Sequence, residues 1–258
     1  MCEDVDCPWR PKRSIETVFS AKQVTPKSTR SVRVIEDYYK FYMIGVDAHK
    51  PGAKQPKPRR FLISRDIGDD FIGLLEELRI PAANLTALDC DTWLELALGR
   101  LRGGLKFRLQ EPYDGWRPLA DFVGMAFDIF DLACTHSNAL GAGEKIAVQG
   151  LYSLAGIRFA ESYEKILDGL ERGTVLEFRR EPDNEHDARA VAVFTKSGEK
   201  VGYIPKTSNL WLASLLDDGA KAVPVIVEAI PGRRNPICKV IVFVSDRELR
   251  MREFICFR

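Results

Sequence analysis

The stretch from residue 174 onward constrains the fold most. TVLEFRR, AVAVFT, KVGYI and the runs at 223–230 and 237–244 are short, rich in β-branched residues and separated by turn formers. In TVLEFRR, Val175, Glu177 and Arg179 alternate with Leu176 and Phe178, the period of a half-buried strand. Lys196-Ser197-Gly198-Glu199 reads as a hairpin turn. With KIAVQGLY at 145–152 there are about six such strands, and two helical stretches, 161–170 and 207–216, interrupt them. Thr207 or Ser208 is placed to cap the second. This pattern predicts a small β-barrel with helical lids.

The chain before it is mixed. Residues 1–31 are polar, contain Pro8, Pro11 and Pro26, and read as a basic, poorly ordered arm. SVRVIEDYYKFYMIGV at 31–46 predicts a strand or two, as core or as a partner surface. The proline- and lysine-rich AHKPGAKQPKPRR follows as an exposed loop, and residues 61–64 as a short strand. DDFIGLLEELR at 69–79 predicts a helix, capped by Asp69 or Asp70, with Phe71, Leu74, Leu75 and Leu78 on one face. DTWLELALGRL at 91–101 predicts a second helix, residues 105–110 a strand, and 119–132 a third, strongly apolar helix. Gly141-Ala142-Gly143 reads as a joint. The fold class is therefore α+β. It comprises an arm at 1–31, an α+β domain at 32–145, a barrel domain at 146–245 and a tail at 246–258.

Composition excludes several classes. Hydrophobic residues make up 45% of the 258, ordinary for a soluble chain, and no stretch approaches the roughly 18 apolar residues that span a bilayer. The start, MCEDVDCPWRPKR, lacks the apolar segment of a secretory signal. Six scattered cysteines fit reduced thiols, which points to the cytoplasm. Residues 1–60 carry 13 Lys/Arg against 7 Asp/Glu, residues 61–146 carry 8 against 14, and residues 147–245 carry 13 of each. The basic residues of the arm are spread out, which favours a solvated segment over a phosphate-binding patch.

Enzymatic chemistry finds little support. There is no GxxxxGK[ST] phosphate loop for an ATPase. Cys2 and Cys7 have no second zinc-type pair, and Cys134 with His136 reads as a structural cysteine and a helix end. Asn184-Glu185-His186-Asp187 offers ligand atoms for a metal-dependent hydrolase, but contiguous residues rarely all face one ion. No cofactor, metal or membrane is expected. Asn184 and Asp187 have a bland reading too, because Asx residues between two strands commonly bond the local backbone and fix the turn.

LAGIRFAESY, LEFRREPDNEHDARAVAVF and GEKVGYIPKTSNLWLASLLDDG occur in this order. Together they resemble the HIRAN domain over about 147–245. The resemblance implies an OB-like barrel that grips the 3′ end of single-stranded DNA in repair or at stalled structures, without catalysis. In that reading Asp187 accepts a hydrogen bond from the terminal hydroxyl and Asn184 bonds the same sugar. Arg158 and Lys206 meet phosphates, Phe159 and His186 stack on bases, and Tyr203 lines the pocket. The best understood members carry tyrosines at the positions of Phe159 and His186. An adaptor reading stands beside this one: residues 32–145 dock a protein partner and the barrel is structural.

Overall fold

The computed structural model of the protein describes residues 15–37, 40–77, 93–98, 105–108, 117–141, 143–232 and 235–253. The elements before the joint are β1 (Ile15–Val24), β2 (Thr29–Asp37), β3 (Lys40–His49), β4 (Arg59–Ile63), α1 (Arg65–Glu77), β5 (Trp93–Leu98), β6 (Leu105–Arg108) and α2 (Arg117–Thr135). After it come β7 (Ile146–Ser153), a 3-10 turn (Ile157–Phe159), α3 (Tyr163–Asp168), β8 (Glu177–Glu181), β9 (Ala190–Phe194) and β10 (Lys200–Tyr203). The chain continues with α4 (Leu210–Asp217), β11 (Ala222–Ile230), β12 (Ile237–Ser245) and α5 (Asp246–Glu253). No helix among the described residues is long and apolar enough to cross a membrane.

Nine strands form one mixed sheet in the order β11-β12-β7-β4-β3-β2-β1-β5-β6. All its pairs are antiparallel except β4 with β7, where Leu62 meets Ala147 and Ile63 meets Val148. The sheet is thus continuous across residue 145. Side-chain alternation explains why it stays buried. Along β12, Ile241 and Phe243 join a core with α1 and α2, while Val240, Val242 and Val244 join a second core on the other face. Likewise Phe61 and Ile63 of β4 face the first core and Leu62 the second. Strands buried on both faces read as continuous apolar runs, as IVFV of β12 does.

The second core is closed by a three-stranded sheet, β10-β9-β8, with α3 and α4 contributing Leu167, Leu212 and Leu215. Two single bridges, Ala155 just after β7 with Tyr203 of β10 and Val175 just before β8 with Val225 of β11, tie this small sheet to the large one. The fold is α+β as expected, but among the described residues the strands do not close into one continuous ladder, so no closed barrel forms there.

Four expectations need correction. Ile15–Val24, assigned to the arm, is a strand with Phe19 and Ala21 fully buried; residues 1–14 lie outside the described residues. Residues 93–98, expected to be helical, pair with β1 from Val24–Trp93 to Phe19–Leu98. Their good helix formers give way to tertiary pairing, and Leu94, Leu96 and Leu98 do recur with the period of a strand. Helix α1 starts four residues before Asp69, after Ser64, whose hydroxyl lies 3.4 Å from the Ile67 amide; Leu78 lies outside the described residues. Helix α4 starts at Leu210 with Asn209, not Thr207 or Ser208, at its N-cap position.

Gly45 of β3 shows how tightly the first core is packed. A Cβ there would lie 2.6 Å from the ring of Phe130, itself pinned edge-on to Phe61. Gly45→Ala is expected to destabilise the protein by about 1–3 kcal/mol. Urea unfolding checks this, and an unchanged midpoint would contradict the packing described.

Candidate nucleic-acid interface

The loop between β8 and β9 carries five polar residues in a row, Asp183 to Asp187, and backbone bonding folds it tightly. Asn184 N–H donates to the Glu181 carbonyl (3.1 Å) and Ala190 N–H to the Asp187 carbonyl (2.8 Å). Asn184 Oδ1 accepts from the amides of His186 (3.0 Å) and Asp187 (3.3 Å). Asp187 Oδ1 accepts from the Arg189 amide (3.0 Å). The turn-fixing roles open to Asn184 and Asp187 are both used. Arg180 pins the loop to α4. Its guanidinium donates to the carbonyls of Ala190 (2.6 Å) and Ala188 (3.1 Å) and to both carboxylate oxygens of Asp217 (2.8 and 3.1 Å).

Glu181, to which no role had been given, is the hub beneath this loop. It accepts from Lys200 Nζ (2.7 Å), the Tyr203 hydroxyl (2.8 Å) and Asn184 Nδ2 (3.1 Å). Burial pushes its carboxyl up, but these hydrogen bonds and the Lys200 charge outweigh burial and hold it below the usual value of 4.5. A depressed carboxylate stabilises the fold above its unfolded pKa, and that contribution is lost as pH falls through the folded one. The unfolding free-energy difference between wild type and Glu181→Gln is therefore expected to be constant near neutrality and to shrink below pH 4.5. A pH-independent difference in urea titrations would contradict this network.

Asp187, like Glu181, is partly exposed. The Arg189 amide holds it below the usual carboxylate range, and the Asn209 amide and the charges of Lys206 and Arg189 act in the same direction. Asn209 Nδ2 donates to Asp187 Oδ2 at 2.6 Å. Lys206 Nζ reaches across to the His186 carbonyl (2.9 Å), and the His186 ring is left exposed.

The 3-10 turn forms the other half of the site. Gly156 enters it at φ 70°, a left-handed conformation that favours glycine. Gly202 lets β10 approach, since a Cβ there would stand 2.8 Å from the Ala155 carbonyl oxygen. These two glycines of the GIRF and VGYIP blocks hold the turn against Tyr203. The turn projects Phe159 into solvent, 94% exposed. Arg158 Nη2 donates to Asn235 Oδ1 (3.2 Å), and both line a shallow cavity of about 330 Å³ with Phe159 and Pro236.

Asn184, His186, Asp187, Tyr203 and Lys206 thus lie in one bonded cluster, with Tyr203 linking it to Arg158 and Phe159. Among the described residues, the Arg158 side chain bonds to Asn235 and not to the 182–189 loop. Trp211 lines a separate cleft with Asp66 and Tyr152. Sequence reasoning missed Glu181, Asn209 and Asn235. Glu181, the first residue of EPDN, and Asn209, in TSNL, stood inside quoted motifs, whereas Asn235 did not.

These features define a domain built to present a polar loop beside an exposed aromatic. The chain carries a HIRAN domain: the profile of that family, described as HIRAN domain, matches residues 150–244. A crystal structure of a protein from Lactobacillus plantarum is 22% identical, covers 40% of this chain and 97% of its own, and has a TM-score of 0.37. A crystal structure of the HIRAN domain of human HLTF is 19% identical, covers 40% of this chain and 80% of its own, and has a TM-score of 0.31. An NMR structure of the HLTF HIRAN domain is 17% identical, with coverage of 41% and 84% and a TM-score of 0.30. No curated protein matches the chain.

Proposed function

We propose that the HIRAN domain binds single-stranded DNA at its 3′-hydroxyl end and performs no chemistry itself. The observation that carries this reading is the Asp187 carboxylate. It is ionised at neutral pH, held on both oxygens, partly exposed, and next to Asn184 and Lys206. Each oxygen keeps acceptor capacity for a hydroxyl, while a terminal phosphate in the same place meets like charge. Phe159 offers a stacking face to a base, and Arg158 and Lys206 offer cations to the phosphates behind it. With equal numbers of acidic and basic residues in the domain, the reading relies on this geometry rather than on overall charge.

Fluorescence anisotropy with short single strands ending in a 3′-hydroxyl or a 3′-phosphate tests it. Tighter binding of the hydroxyl end is expected. Equal binding would reduce the domain to a phosphate binder, and no binding at low salt would leave the adaptor reading through residues 32–145.

A further inference from the structure

We infer that Asn209 is a positioning residue: it holds the Asp187 carboxylate in one orientation, and this contact sets the preference for a hydroxyl over a phosphate end. The inference rests on the end-binding reading above.

Asn209 occupies the N-cap position of α4, where asparagine ordinarily bonds the free amides of the first turn. Its side chain makes no such bond. The start of the helix is served by its backbone instead, the Asn209 carbonyl accepting from Ala213 N–H at 2.8 Å. The residue is fully buried, and its amide nitrogen donates to Asp187 Oδ2 at 2.6 Å. Its Oδ1 is buried without a hydrogen-bond partner. Turning the amide over would set that oxygen against the carboxylate, so the orientation is fixed by Asp187. A buried acceptor left unsatisfied carries a free-energy cost. Here that cost accompanies one product only, a carboxylate clamped between Asn209 on Oδ2 and the Arg189 amide on Oδ1.

The charged groups around Asp187 make the neutrality of Asn209 matter. Arg189 and Lys206 flank it from the loop and the approach to α4, His186 adjoins it, and Glu181 reaches it through Asn184. Asp217 of α4 is engaged by Arg180. A carboxylate at position 209 would face Asp187 directly. Two carboxylates that close share a proton and titrate as a pair, one of them at a much higher pH.

The test uses the full chain and two variants, Asn209→Asp and Asn209→Leu. The carbon-13 carboxyl shift of Asp187 is followed against pH without DNA. The ratio of the Kd values for 3′-phosphate and 3′-hydroxyl strands is followed over the mildly acidic to neutral range. In wild type the ratio is expected to change only with the second ionisation of the terminal phosphate, at about pH 6. In Asn209→Asp the Asp187 titration should move up by about one unit or more, and the ratio should fall, relative to wild type, about tenfold per unit below it. In Asn209→Leu the ratio should fall at every pH; Asn209→Ser replaces it if the leucine variant does not fold. Folded variants with wild-type titration and ratio would overturn the inference. A shifted titration in a protein whose wild type shows no end preference would support the positioning role and refute end binding.

Discussion

Asp187→Ala is expected to abolish discrimination between hydroxyl and phosphate ends in a protein that still folds but is less stable, since the buried Asn209 amide loses its acceptor. Binding of the hydroxyl-terminated strand should weaken roughly ten- to a hundred-fold, the usual range for a lost hydrogen bond to a charged group. Binding of the phosphate-terminated strand should weaken little or strengthen, because a like charge is removed. The loop keeps its shape because Arg180, Asn184 and the Glu181 hub hold it without the Asp187 side chain. Anisotropy with both strands, together with a thermal melt, reads both halves of this outcome. Equal weakening for the two ends would move recognition away from Asp187.

Phe243→Ala should have the largest effect on stability. Phe243 lies in β12, within the HIRAN domain, yet its fully buried ring belongs to the core of Phe19, Phe71 and Phe130. The neighbours Val242 and Val244 belong to the other core. Truncating a buried phenylalanine costs about 3–5 kcal/mol, a large part of the 5–15 kcal/mol that holds a typical domain together. Since the nine-stranded sheet passes through β12 and β7 to β4, one cooperative loss of structure on both sides of residue 145 is expected. Hydrogen exchange resolved along the chain checks it. Loss confined to residues 146–245 would show that the two parts fold separately.

The strands of the second half were legible because their alternation is local. AVAVFT and KVGYI lie within one hairpin, and the burial of Val191, Val193 and Val201 follows from them. Phe71 was readable as core for the same reason. What could not be read is set by contacts far apart in sequence. The parallel pairing of Leu62 with Ala147 leaves no local trace, and without it a two-part chain is the natural reading. Residues 93–98 looked helical because leucine, glutamate and alanine suit a helix, until β1 supplies an edge to pair with. In the site, the Asx turn was foreseeable from PDNEHD alone. The bond from Asn209 to Asp187 was not, because it spans 22 residues and takes asparagine away from the capping role its position suggests. Glu181 was hidden in plain view, since a glutamate on a short strand usually faces water.

The most direct test of end recognition compares two single-stranded DNAs of the same sequence and length, one linear with a 3′-hydroxyl and one covalently closed. The account predicts that the linear strand binds and competes at least about tenfold better, because Asp187 and Asn184 have no terminus to meet on the circle. Equal competition by the circle would contradict it.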